Sequence, residues 1–260
     1  ATTLTYFFID KVIQETKSKF KLSDFLIYVL LATVCDVMPL RRFNKLLASN
    51  VIRNFKLENN LAFKTIFNLL NLKKKLTVND LGFLIGPIIN SGGRLGFSNY
   101  ATELLTSNNK DILQKKASEL INLNNKRKKL EKNILNEINF EKINKENKNV
   151  IIYYDNKIHE GLIGIIASRL KDYFNKPSIV LTRSNNILKG SARSTKNYNI
   201  GKIIKTLVDK DIVKKGGGHN MAAGFSIIKD NLKKLDDFIQ KDYQKNNKNF
   251  ELTFIYDSEL

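Results

Sequence analysis

The residues best suited to chemistry lie in Lys215-Gly216-Gly217-Gly218-His219-Asn220-Met221-Ala222-Ala223-Gly224, where three glycines precede an imidazole and a run of small residues. Consecutive glycines reach φ > 0 and bring bare N–H groups to a ligand, so this stretch predicts a loop forming an anion nest. His219 adds a donor at the rim, and Ala222-Ala223-Gly224 keeps bulk off the strand that follows, so that a phosphate or a base lies directly on it. The candidate contacts to a phosphorylated ligand are Gly216, Gly217, Gly218 and His219. A glycine-rich turn with a surface histidine is the alternative on these residues alone.

A second constellation precedes it. In Lys189-Gly190-Ser191-Ala192-Arg193-Ser194 the period of two places Ser191 and Arg193 on one face of a strand. A hydroxyl beside a guanidinium fork suits two phosphate oxygens at once. His159, in Ile158-His159-Glu160-Gly161, stands at a helix start where anions are favoured; closing the cap is its simpler role. Nearer the N-terminus, Asp36 in Thr33-Val34-Cys35-Asp36-Val37-Met38-Pro39 ends a very apolar helix, where a buried charge requires a partner or a metal ion. Arg94 follows a glycine pair in Gly86–Arg94, which reads as an irregular loop offering a phosphate contact.

The elements that position these groups fall into three regions. Residues 1–107 read as mainly helical, with apolar periodicity over Tyr6–Ile13, Phe25–Val34 (Ser23 as cap), Leu46–Phe55 and Leu61–Leu70. Residues 108–148 read as one long polar helix, whose apolar stripe (Leu113, Ala117, Leu120 and onward to Ile138) is interrupted by Asn124 and Arg127. From 149 the pattern alternates: strands at Val150–Tyr154, Pro177–Thr182, Ile187–Arg193 and Ala222–Ile228, and helices at Leu162–Phe174, Ile200–Val208 and Leu232–Tyr243. The fold class is therefore α/β, a mixed-sheet domain over 149–246 joined by a connector helix to a mainly helical region. Phe250–Tyr256 reads as a strand opening a further domain over 247–260.

Composition narrows the partner. Of 260 residues, 44 are Lys or Arg and 25 Asp or Glu, leaving +19, a bias toward polyanions and above all nucleic acid. A skew toward Asn and Ile accounts for part of that excess. The lone Cys35 excludes a disulfide framework and a thiolate zinc site, and fits a reducing cytoplasm. The apolar run Phe25–Cys35 is shorter than the ~20 residues of a membrane span, and no signal-peptide pattern is present. Ala1 in place of Met leads to the expectation that the chain is a fragment.

Together these residues resemble the DHH/DHHA1 phosphoesterases, and within them the RecJ-type single-strand-specific DNA exonucleases. The resemblance is carried in order by Asp36-x-x-Pro39-Leu40 with Asn44, Gly82-Phe83 through Gly86-Pro87 and Asn90 to Gly93-Arg94, Asn124-x-x-Arg127 with Glu131, His159-x-Gly161 through Gly164 to Ala167-Ser168-Arg169, Gly190-Ser191-x-Arg193-Ser194, and Gly216–Gly224. It implies that 1–107 is the C-terminal part of a DHH catalytic domain, 149–246 a DHHA1 substrate-binding domain and 247–260 the start of an OB-type domain. It also implies two Mn2+ or Mg2+ ions held by aspartates and histidines of four motifs. Only Asp36 represents these motifs here, and both histidines belong to others, so the chain alone is expected to be inactive. Ile88 stands where an arginine is common in the family, and Ser91-Gly92 where two alanines are.

For the intact protein the resemblance implies 5′-to-3′ hydrolysis of single-stranded DNA in repair and recombination by a monomer, with single-strand-binding protein as a candidate partner. Asp36 holds a metal ion in that scheme, His219 approaches the scissile phosphate, and Arg94, Ser191 and Arg193 hold the 5′-phosphate. An oligoribonuclease or cyclic-dinucleotide phosphodiesterase of the same family is one alternative. A non-catalytic nucleic-acid-binding module is another.

Overall fold

The computed structural model describes residues 1–246, which form two compact units: unit 1, Ala1–Arg127, and unit 2, which begins at Lys128. The expected strand Phe250–Tyr256 lies outside the described residues.

Unit 1 is helical, in the order α1 (Thr2–Thr16), α2 (Leu26–Cys35), α3 (Phe43–Asn54), α4 (Leu61–Leu69), the single turn α5 (Val78–Asp80), α6 (Gly86–Arg94) and α7 (Asn99–Thr106). The first part of α8 (Lys110–Glu137) completes it. The α2 sequence LIYVLLATVC is apolar all round and buries Ile27, Val29, Leu30, Leu31 and Thr33, as a helix enclosed by others must. Phe63, Ile66 and Phe67 of α4 pack around it, with Ile88 of α6, Leu104 of α7 and Leu113, Ala117 and Leu120 of α8. Ser23, the expected cap, lies inside a 3-10 turn, and α2 has no side-chain cap.

The segment expected as an irregular loop at Gly86–Arg94 is a helix. A π-helical turn, Leu81–Ile85, leads into it, and Pro87 occupies the first helical turn, where a missing N–H costs nothing. Gly86, Ser91 and Gly92 are buried because small residues let α6 sit close to its neighbours; the Ser91 hydroxyl donates to the Leu120 carbonyl at 2.9 Å.

A capping box starts α5. The Asp80 N–H donates to the Thr77 hydroxyl at 3.2 Å, the Thr77 N–H donates to the Asp80 carboxylate at 3.0 Å, and Lys74 Nζ lies 2.5 Å from Asp80 Oδ1. Burial pushes the Asp80 carboxyl up, but the Lys74 ammonium and then the Thr77 hydroxyl and N–H outweigh it and hold the group below its ordinary value.

Unit 2 contains the last turns of α8, then α9 (Phe140–Lys145), β1 (Ile151–Tyr154), α10 (Ile163–Phe174), β2 (Ser178–Ser184), β3 (Ile187–Arg193), α11 (Ile200–Asp209), β4 (Lys215–His219), β5 (Ala222–Ile227) and α12 (Leu232–Asn246). The single helix expected over 108–148 is broken at Asn139, whose side chain accepts from the Lys142 N–H at 2.8 Å and caps α9 instead of continuing α8. The strands form one mixed sheet in the order β1-β2-β3-β5-β4, with β1 and β2 parallel and the other pairs antiparallel.

Both faces of this sheet carry helices, but unequally. On one face α11 and α12 bury Ile179, Leu181, Leu188, Ala192, Ala223, Phe225 and Ile227. On the other α10 covers Ile151 and Val180, joined by apolar residues of α9 and of the end of α8. Gly190 is indispensable on the first face, because a Cβ there would lie 2.3 Å from the Phe225 ring, which fills that space. Gln240 of α12 ties down the entry to β1, accepting from the N–H groups of Asn149 and Val150 and donating to the Val150 carbonyl at 2.8 Å.

The Asp80 box predicts a pH-dependent stability. A carboxyl held below its ordinary value favours the folded state fully above the unfolded value of about 4, and the contribution disappears as pH falls through the lower folded value. Asp80→Ala should lower the unfolding free energy by about 1–2 kcal/mol at pH 7. In denaturant titrations at descending pH the two proteins should converge below pH ~4.

Candidate nucleic-acid-binding face

The period of two divides β3. Leu188, Gly190 and Ala192 are buried, whereas Lys189, Ser191 and Arg193 alternate with them and turn to the α10 side. The register extends this side across the sheet in three rows: Ser178–Arg193–Ala222–His219, Val180–Ser191–Gly224–Gly217 and Thr182–Lys189–Ser226–Lys215. The sequence-predicted Ser191, Arg193, Gly217 and His219 therefore share one face.

The Gly216–Gly218 triplet is not the nest predicted from sequence. These glycines lie in the edge strand β4, each opposite a residue of β5, and none has positive φ; the turn falls on Asn220-Met221. Ladder pairing overrides the turn propensity of the three glycines. Gly216 and Gly218 turn to the opposite side, where an added Cβ would lie 2.7 Å from Ile204 Cγ2 and from Ala223 Cβ respectively. Around Gly217 and Gly224 an added Cβ would meet nothing within 4 Å, and both residues are exposed. Helix α10 covers the sheet as far as β3, and beyond it the middle row of the face continues as bare backbone at Gly224 and Gly217.

The first turn of α10 completes the arrangement. A methyl group added at Gly164 would lie 2.9 Å from Arg193 Nη2 and 3.2 Å from Ser191 Oγ, so the helix start rests on both side chains. The N-terminus of α10 has no side-chain cap, leaving its first N–H groups and the positive end of its dipole beside the guanidinium. Arg193 Nη1 donates to Ser191 Oγ at 3.1 Å and to the Ala192 carbonyl at 2.9 Å, which fixes its orientation. Lys189 is neutralised by Glu160 at 2.7 Å; with the Ser184 hydroxyl it holds that carboxyl below its ordinary value.

His219 is exposed, and its Nδ1 accepts from the Met221 N–H at 3.3 Å, so a neutral imidazole carries its proton on Nε2. Its hairpin is anchored by the Ser194 N–H to the Met221 carbonyl at 2.9 Å, the Ile200 N–H to the Asn220 carbonyl at 3.2 Å and the Asn199 amide to Asn220 at 2.7 Å. His159 closes the turn before α10, its Nδ1 accepting from the Gly161 N–H at 3.1 Å. Sequence reasoning already placed Gly224 on a strand kept free of bulk, but it passed over Gly164, for which the small residue at the helix start was the available signal, and Lys215, whose place on this face required the pairing register.

Asp36 and Arg94 belong to unit 1. Asp36 is the C-cap of α2 and is exposed, so the desolvation cost inferred from its apolar context does not arise. The next residue, Val37, has φ 53°, a left-handed conformation that costs a β-branched residue on the order of 1–2 kcal/mol. Arg94 ends α6 and is half-buried. Among the described residues no group of three or more His, Cys, Asp or Glu forms a cluster able to hold a metal ion. The donors present do not make up a two-ion centre. No helix among the described residues is long and apolar enough to cross a membrane.

This half-covered sheet defines a class: residues 147–245 match the DHHA1 domain family. The chain is 34% identical over 223 residues to the single-stranded-DNA-specific exonuclease RecJ of Haemophilus influenzae, covering 82% of this chain and 38% of that protein. It is 33% identical over 224 residues to RecJ of Escherichia coli, covering 82% and 38%. The crystal structure of Thermus thermophilus RecJ in complex with Mn2+ superposes with a TM-score of 0.75 at 22% identity, over 85% of this chain and 33% of that one. This chain belongs to the RecJ family of DHHA1-containing proteins, and it spans about two fifths of the length of the curated relatives it matches.

The two sides of β4 make opposite predictions. Gly216→Val should destabilise unit 2 by about 1–3 kcal/mol through overpacking against Ile204 and Phe225. Gly217→Val should leave the thermal midpoint within a degree or two, while weakening single-stranded oligonucleotide binding by occupying the bare shelf. Calorimetry and fluorescence anisotropy on the two variants check both.

Proposed function

We propose that the whole protein is a 5′-to-3′ exonuclease specific for single-stranded DNA, acting in cytoplasmic DNA repair and recombination, and that unit 2 of this chain holds the strand. The observation that carries this reading is the convergence of Arg193, Ser191 and the uncapped start of α10 beside the open glycines Gly217 and Gly224.

A terminal phosphate monoester carries close to two charges at neutral pH and offers three acceptor oxygens. The Arg193 fork, the Ser191 hydroxyl and the first N–H groups of α10 are donors suited to those oxygens. A nucleotide held there has its sugar and base against Gly224 and Gly217, where no side chain intervenes. The His219 Nε2–H is a further donor on the same row as Arg193 and reaches an internal phosphate of the bound strand. Gly216 and Gly218 contribute by letting β4 pack against α11, not through contact with the ligand.

The metal requirement of the whole protein is proposed as Mn2+ or Mg2+. Asp36 is a candidate ligand to one ion, at a helix C-terminus whose dipole attracts cations. Arg94 is a candidate second contact to the strand. Because the described residues do not complete such a centre, this chain alone should bind strands without cutting them. The protein is proposed to act as a monomer, with single-strand-binding protein as its partner. The shelf is open on one side, which suits a polymer better than a dinucleotide and separates this reading from the phosphodiesterase alternative.

Arg193→Ala should abolish the preference for a 5′-phosphorylated oligonucleotide over its 5′-hydroxyl counterpart. The expected loss is about 10–100-fold in affinity for the phosphorylated strand, as for a removed charge-assisted bond of roughly 1.5–3 kcal/mol. Competition binding at fixed ionic strength measures it, and an unchanged preference contradicts the assignment.

A further inference from the structure

Unit 1 carries a basic hollow that shares no residue with the face just described. A cavity of about 740 Å3 lies where the end of α3 meets the segment between α4 and α5. Arg53, Lys56, Lys73, Lys74 and Lys75 line it, and Glu58 is the one carboxylate among its lining residues. All five cations are exposed. Lys74 pairs with Asp80, whereas Arg53, Lys56, Lys73 and Lys75 make no ion pair among the described residues. The floor is apolar: Leu76 is buried and Ile52, Phe55 and Leu57 are half-buried. Four unneutralised cations facing a common space repel one another, and an anion seated between them removes that repulsion.

The hollow continues into a second one. A cavity of about 620 Å3 shares Asn54, Phe55 and Lys56 with it and is lined further by Asn50, Asn59, Asn60, Ser23 and the carboxylate of Asp24. Asn60 is committed to the Phe63 N–H and the Tyr28 hydroxyl, and Asn54 donates to Asn50. The Asn59 side chain makes no hydrogen bond among the described residues. One end of the paired groove thus presents guanidinium and ammonium groups, and the other presents amides with the Ser23 hydroxyl and the Asp24 carboxylate, a set that suits the donors and acceptors of a base and not a phosphate; Phe55 lines both. Cations that track a backbone, with an aromatic ring and hydrogen-bonding groups alongside, are what an unpaired nucleic-acid strand requires.

We propose that this groove is a second site for single-stranded nucleic acid, with phosphates over Arg53, Lys56, Lys73 and Lys75 and a base at the Asn59 end. The inference rests on the nucleic-acid reading of the chain and adds a site that the strand-end face does not supply.

The test is a Lys73→Glu/Lys75→Glu variant of the whole chain, with Lys74 kept because it anchors Asp80. The control is Lys233→Glu/Lys234→Glu, an equal charge change on the exposed face of α12. Anisotropy with a 5′-phosphorylated oligothymidylate of twenty nucleotides, read from low to high salt, gives the affinity and the salt slope of each. The groove variant should bind at least about tenfold more weakly, with a slope shallower by about 1.4, corresponding to two phosphate contacts on a single strand. The control should change affinity less than twofold. Equal losses in the two variants, or no loss in either, overturn the proposal, as does inorganic polyphosphate of matched charge competing as well as the oligonucleotide. If Arg193→Ala weakens binding and the groove variant does not, this inference alone falls. If neither does, the proposed function falls with it.

Discussion

Unit 2 depends on the unequal covering of one sheet. Its α11–α12 face is closed from the Val150 end to Gly216. The fit of the Phe225 ring over Gly190 fixes β5 against β3, and with it the register that places Ser191, Gly224 and Gly217 in one row. A one-residue slip would exchange the two faces, burying Arg193 and exposing Phe225. The proposed binding face is thus a by-product of a tightly specified core: the strands are held from one side, and on the other Gly217 and Gly224 remain bare. Helix α10 stops at β3, and where it stops the donors are concentrated.

Much of this was legible in the sequence. The strands at 187–193 and 222–228, the helices at 162–174 and 200–208 and the pairing of Ser191 with Arg193 follow from periodicities of two and 3.6. The strand β4 was not legible. Three consecutive glycines carry no hydrophobic alternation, and their local preference is for a turn. Only the partner strand β5 and the close approach of α11 reveal that they are extended. The same applies to Gly86–Arg94, whose glycines and proline read as a loop and whose helical state comes from contacts with α8. In both places small residues signal close packing, and sequence alone does not say whether that packing is against protein or against a ligand. The break at Asn139 is a different case, since the capping side chain was visible but the apolar stripe on either side of it argued for continuity.

The two units divide the chemistry unevenly. Unit 2 gathers hydroxyl, guanidinium, helix terminus and bare backbone onto one face, a complete set of groups for holding a phosphate and the nucleotide behind it. Unit 1 offers an exposed Asp36 at the end of α2, where the left-handed Val37 closes the helix, its N–H donating to the Val34 carbonyl and the Met38 N–H to the Thr33 carbonyl, both at 3.0 Å. The +19 charge is likewise not spread evenly in its effect. Lys189 is paired with Glu160 and Lys74 with Asp80, whereas Arg53, Lys56, Lys73 and Lys75 of the proposed groove in unit 1 make no ion pair among the described residues.

The central claim, that a 5′-phosphate is held between Arg193, Ser191 and the start of α10, is tested most directly by nuclear magnetic resonance. Amide shifts of the labelled chain would be followed during titration with a 5′-phosphorylated dinucleotide, too short to bridge to other surfaces. The account predicts saturable shifts at Gly164, Ser191, Arg193, Gly217 and Gly224, with the 5′-hydroxyl dinucleotide producing much weaker ones. Shifts confined to other residues, or identical for the two dinucleotides, would contradict it.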